Sequence, residues 1–124
     1  MIDFKNGMVF KLAATDPAAI APDVAELLIE GEQILSCFKA ARDFVVFTNK
    51  RLVAVNVQGI TGRKRDYTSL PYSKVQAFSI ETAGSFDLDS ELEIWFSGLG
   101  LARLEFRGDV DIRQIGRLLA HHIL

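Results

Sequence analysis

Cysteine is almost missing from this chain of 124 residues: the single one, Cys37, has no partner for an internal disulfide. It sits between Ser36 and Phe38 in an expected strand, as a small buried hydrophobe in a reducing compartment would. Also missing is any run of about twenty uncharged apolar residues, and Asp3, Lys5 and Lys11 break up the N-terminal apolar positions where a secretory leader would need continuity. A cytoplasmic protein without a membrane span is the expectation. There is no basic excess. A net charge of −2 excludes a domain that binds nucleic acid by neutralising phosphates, so no nucleic-acid partner is expected.

The chemistry of catalysis is equally thin. No serine stands in a nucleophile elbow, and no glycine-rich phosphate loop precedes a helix. His121 and His122 are adjacent, so on a helix they diverge by roughly 100° and do not share one metal as histidines four apart do. Asp87, Asp89, Glu91 and Glu93 alternate like calcium ligands, but the sixth and twelfth places of an EF-hand loop, which require Gly and Glu, hold Leu92 and Gly98. The sequence therefore predicts no catalytic residue, no metal site and no cofactor. A pocket of Trp95, Tyr67 and Tyr72 is conceivable, although packing is the commoner use of such residues on strands.

What is present is a fold. From Phe44 to Tyr67 two apolar runs are joined by Thr48-Asn49-Lys50-Arg51, and a third strand is reached through Gly59-Ile60-Thr61-Gly62. Asn49 tolerates positive φ and the two glycines allow a tight reversal, so the segment reads as an antiparallel meander. Strands are expected at 33–40, 43–48, 51–57, 63–70 (stopped by Pro71), 74–82, 91–97 and 101–107. Leu92, Ile94 and Phe96 share one face, as do Ala102, Leu104 and Phe106. Asp109 starts a helix striped by Ile112, Ile115, Leu118, Leu119 and Ile123, with Arg113 and Arg117 opposite. Asp16-Pro17 is one helix start and Pro22 a second; Val24, Leu27 and Leu28 followed by Gly31 predict a short helix from Pro22 to Ile29. Residues 1–14 suit a weak helix or an extended arm. The class is α+β: one domain over 1–124, with an arm and short helix (1–31), strands (33–107) and a closing helix (109–124).

These elements in this order, with FVVFTNKRL, QGITGRK, LPYSKV and ETAGSFDLDSELEIW, resemble the bacterial pleckstrin-homology-like domain family, and the step from Thr48 to Leu52 resembles its GRAM branch. The resemblance implies a PH-like barrel of about seven antiparallel strands in two near-orthogonal sheets, capped by the C-terminal helix and preceded by an N-terminal helical segment. It also implies self-assembly into rings, with the molecular role left open. One departure stands out: where eukaryotic lipid-binding members carry Lys/Arg-x-Arg on the second strand, this chain has Asp43, Phe44, Val45 and Val46.

Two surface readings follow. Lys50, Arg51, Arg63, Lys64 and Arg65 form the densest basic cluster, suited to an anionic lipid or phosphate-bearing ligand; as a solvated turn it would instead pair Lys64 with Asp66. Phe44, Val45, Val46, Phe47, Val53 and Val55 make strands apolar on both faces, and the high apolar fraction of 49% agrees with a shared surface. The predicted function is a non-enzymatic scaffold acting through a homo-oligomeric ring, with a protein or peptide as a further partner. The alternative is a peripheral module in weak contact with anionic membrane. A third, an enzyme with its site between subunits, has no residue behind it.

Overall fold

The computed structural model describes residues 1–4 and 8–124, without the side chains of 8–10. All seven expected strands are present, and an eighth precedes them. In chain order they are β1 (Met8–Thr15), β2 (Ile34–Lys39), β3 (Phe44–Thr48), β4 (Arg51–Gln58), β5 (Lys64–Pro71), β6 (Val75–Glu81), β7 (Ser90–Phe96) and β8 (Gly100–Phe106). Helix α1 (Pro17–Val24) lies between β1 and β2, and α2 (Ile112–Ile123) closes the chain. The strands form one sheet in the order β5-β4-β3-β2-β1-β8-β7-β6.

β1 is the joint between the two halves. It runs antiparallel to β2 and parallel to β8, and its register against β8 shifts between Val9 and Leu12. Lys11 sits in that shift with φ of 58°, as expected of a bulge that bends a strand. Part of the N-terminal arm is thus a strand; the remainder of that expectation, at residues 5–7, lies outside the described residues.

The N-terminal helix starts one signal earlier than Pro22. Asp16 accepts from the Ala18 N–H at 3.0 Å and Pro17 takes the first helical position, where no N–H is required. Pro22 falls inside the helix; it offers no N–H to the turn behind it, and two residues later the chain passes into a 3₁₀ turn at Ala25–Leu27. The buried stripe is accordingly Ile20 and Val24, while Leu27 is exposed.

This shift explains the two-faced strands. Val45, Phe47, Leu52 and Ala54 point into the main core with Leu92, Leu104 and Phe106, whereas Phe44, Val46, Val53 and Val55 pack beneath Ile20 and Val24 in a second cluster with Cys37. All six residues expected at a subunit interface (Phe44, Val45, Val46, Phe47, Val53, Val55) are at most 4% exposed within the single chain. That expectation is corrected: Val45 and Phe47 face the main core, and α1 covers Phe44, Val46, Val53 and Val55. Ile20→Ala is expected to cost near the lower end of the roughly 2–5 kcal/mol typical of such truncations, because a peripheral helix settles partly into the gap. Chemical denaturation measures it.

At the other side of the core, α2 buries Ile112, Ile115 and Leu119 across the mouth between the halves. Its cap is Asp111 rather than Asp109, accepting from Arg113 N–H at 3.1 Å. Gly116 lets the helix approach β6 closely, since a Cβ there would stand 3.1 Å from Ile80 Cδ1.

Candidate functional site

The turn from β3 to β4 is the most densely bonded polar point of the described residues. Thr48 accepts at its hydroxyl from the Lys50 and Arg51 N–H groups at 3.1 and 3.0 Å, and its one hydroxyl proton goes to Glu32 Oε2 at 2.7 Å. Arg51 meets the same carboxylate twice, Nε to Oε2 and Nη2 to Oε1, both at 2.9 Å, and also donates to Leu27 O at 2.6 Å and Ser69 Oγ at 2.8 Å. Asn49 takes no positive φ, contrary to expectation. Its amide instead accepts from Gln33 N–H at 2.8 Å and donates to Gly31 O at 3.0 Å. The Thr-Asn-x-Arg step therefore fastens the loop at 31–33, which leads into β2, to the turn.

Glu32 has a fully buried side chain. Burial pushes its carboxyl up, but the bonds from Arg51, Thr48 and the Ile29 N–H together outweigh it and hold the group below the ordinary glutamate range. Arg51 is thus a structural ion-pair partner and not free to meet a ligand. Arg65 is likewise engaged, 2.7 Å from Asp23 on α1.

The expected basic cluster is not one place. Arg51 pairs with Pro71 at one end of the β4–β5 ladder, and Lys64 pairs with Gln58 at the other. Seven residue steps at about 3.3 Å set Lys50 and Arg51 roughly 20 Å or more from Arg63-Lys64-Arg65. Lys50 is exposed alone at its end, whereas Arg63 and Lys64 are exposed together beside Ile60 at the tip of the β4–β5 turn, which is completely exposed. Gly59 and Gly62 hold that turn with φ of 76° and 69°, as the glycine spacing predicted. Arg42 reaches across from the β2–β3 turn and donates to Gly59 O. Lys64 does not pair with Asp66, whose carboxylate lies 2.7 Å from the Met1 ammonium.

Next to the tip, a cleft of about 280 Å³ is lined by Asp3, Asp43 and Asp66 with Asn56, Thr68 and Ile2. Its carboxylates oppose phosphate. The second hollow of interest, about 230 Å³, lies on the outer face of the other half between Ala77, Ser79, Glu93, Trp95 and Leu101. Trp95 is 48% exposed there. Beyond it Glu81, Glu91 and Glu105 stand in register across β6, β7 and β8. Burial and then the neighbouring Glu93 and Glu81 raise the Glu91 carboxyl, with Arg103 opposing.

The remaining candidates stay structural. Cys37 is buried and its thiol is pushed up to about 11, so it carries little thiolate. Tyr72 is buried with its hydroxyl donating to Thr48 O at 2.7 Å, Tyr67 on β5 donates to Asp23 O, and Trp95 is on β7; the three aromatics do not meet. His122 Nδ1 is 2.8 Å from Leu118 O and its ring tilts against Tyr72. Asp87 accepts from Asp89 N–H in a tight turn, while Glu91 and Glu93 stand on β7. Among the described residues no three His, Cys, Asp or Glu side chains are placed to hold one ion, and no helix is long and apolar enough to cross a membrane.

A bent sheet whose two halves are bridged by one strand, with a C-terminal helix across the mouth, is the pleckstrin-homology-like architecture. The chain belongs to the bacterial PH domain family, whose model matches residues 3–123. It is similar to YjqA of Bacillus subtilis (strain 168), 44% identical over 119 residues that cover 94% of this chain and 95% of that protein. A DUF1696-family protein with a pleckstrin-homology domain from Shewanella loihica PV-4 superimposes with a TM-score of 0.81 at 35% identity, covering 92% of this chain and 98% of that one. A pleckstrin homology domain from Shewanella amazonensis SB2B gives 0.69 at 36% identity, covering 89% and 90%.

Proposed function

We propose that this chain is a non-enzymatic interaction module that works by binding further copies of itself head to tail, closing as a ring. The observation that supports it is the sheet order, which leaves β5 and β6 as two open and unlike edges. An open edge offers unpaired N–H and C=O groups to another strand. The β5 edge begins at Arg63 and Lys64; the β6 edge ends at Glu81, backed by Glu91. An antiparallel self-pairing of β5 would set its basic end against Leu70 and Pro71 of the other copy, whereas β5 against β6 sets unlike charges together, and a heterologous contact whose rotation closes gives a ring. The apolar outer faces of β3 and β4 do not support the reading, since α1 covers them.

The fully exposed Ile60 beside Arg63 and Lys64 favours a second reading, weak contact with an anionic membrane through the β4–β5 tip. Liposome flotation decides between the two when run beside light scattering. We expect a mass above the monomer, with little flotation that is indifferent to the inositol phosphate isomer. Strong flotation by a monomer, lost in Arg63→Glu, reverses the order.

A further inference from the structure

The two halves of the sheet are not covered alike on their outer faces. α1 lies over β3 and β4, whereas among the described residues no helix lies over the outer face of β6, β7 and β8, because α2 packs on their core side through Ile115 and Leu119. Strand pairing builds that open face in rows. Ala77, Trp95 and Leu101 make an apolar row at one end, and Glu81, Glu91 and Glu105 make an acidic row at the other. Glu93 and Arg103 stand side by side between them.

Each end asks for a different kind of guest. At the apolar end, the hollow beside Trp95 leaves the indole nearly half exposed, with Leu99 exposed in the adjoining β7–β8 turn, so a docked apolar side chain would remove this area from water. At the acidic end, like charges lie directly across neighbouring strands, an unfavourable arrangement. Arg103 meets Glu93 at 3.5 Å, but no ion pair among the described residues reaches Glu81, Glu91 or Glu105. Burial and then Glu93 and Glu81 hold the Glu91 carboxyl above its ordinary range, with Arg103 opposing. A cation brought to this row relieves the repulsion. The same glutamates repel nucleic acid and anionic lipid, which leaves a basic protein segment as the partner that also carries apolar side chains.

The spacing of the rows sets the shape of that segment. Trp95 and Glu91 lie four residues apart on β7, roughly 13 Å at about 3.3 Å per residue. An extended segment lying along β7 turns its residues i and i+4 to one side at the same spacing. We infer that the outer face of β6, β7 and β8 docks an extended basic segment of another protein, with an apolar side chain in the hollow beside Trp95 and a lysine or arginine four residues away over Glu91 and Glu105. The contact uses a face of the sheet and not its open edges, so it stands apart from self-association.

Trp95 is the only tryptophan, so its emission reports docking directly. The probe is the synthetic peptide Gly-Ser-Leu-Ser-Thr-Ser-Lys-Lys-Gly, titrated into protein held at low micromolar concentration. One control peptide has glycine for the leucine, and a second has glutamate for both lysines. The emission should move to the blue with a submillimolar Kd, and each control should bind at least about fivefold more weakly. Glu91→Gln with Glu105→Gln, first shown folded by circular dichroism, should weaken the lysine peptide by about fivefold to tenfold, and high salt should weaken it on the wild type. No blue movement up to millimolar peptide overturns the inference, as does equal binding by either control or by the glutamine variant. Blue movement on concentrating the protein alone, with none added by the peptide, assigns the face to a second copy and also overturns it. None of these results bears on association through the strand edges, which the mass measurement judges by itself.

Discussion

Arg51→Ala should lower the unfolding free energy by about 3–5 kcal/mol, a large share of the stability of a domain this size. The reason is the partner left behind. Glu32 has no exposed side-chain surface, and Arg51 supplies two of the hydrogen bonds that keep its carboxylate ionised. Without the guanidinium the charge is stranded, and the bonds from Arg51 to Leu27 O and Ser69 Oγ disappear with it. Glu32→Gln in the same background should return much of the loss, since a neutral amide removes the stranded charge while its oxygen accepts from the Ile29 N–H and its NH2 donates to the Thr48 hydroxyl. Urea unfolding of the two variants and their combination measures the coupling.

The same network gives the fold an acid limit. Because the folded Glu32 carboxyl lies below its ordinary value of 4.5, its contribution is complete above that value and is lost as pH falls through the folded pKa. Glu32→Gln should therefore flatten part of the decline in stability as pH falls below about 4.5. An unchanged acid slope would place the sensitivity at other carboxylates.

Ile115→Asp should abolish the folded state outright. Ile115 is 4% exposed in the main core between Ile112 and Leu119, where an aspartate finds no cation among the described residues packed around it. Burying an unpaired carboxylate costs more than a marginally stable domain holds, and neutralising it still leaves a polar group in an apolar seam. Loss of cooperative thermal unfolding, or recovery only from inclusion bodies, is the expected result. A variant that unfolds cooperatively near the wild-type temperature would mean that α2 does not seal the mouth.

Much of this architecture is legible in the residues because strand alternation and turn chemistry are local. Leu92, Ile94 and Phe96 announce a buried face, and Gly59 and Gly62 announce a turn that positive φ confirms. β1 was not legible, since its parallel pairing with β8 joins residues nearly a chain length apart and a bulge at Lys11 breaks its alternation. The two-faced strands correctly signalled that a second layer covers them, but alternation reveals that a face is buried and not what buries it. Ile20 and Val24 do so. The basic residues failed for a related reason: Lys50 and Lys64 are near in sequence, yet β4 stands between them at full length. Glu32, the partner that gives Thr48 and Arg51 their roles, sits in a loop with no periodic signal.

The central claim is that the open, unlike edges of this sheet bind one another. Sedimentation velocity of the wild type from low micromolar to near-millimolar concentration tests it most directly, at low and at high salt. The account predicts a mass several times the monomer that shifts toward smaller species at high salt, as a contact between Arg63 or Lys64 and the partner's Glu81 requires. A single monomeric species across the whole range would contradict it.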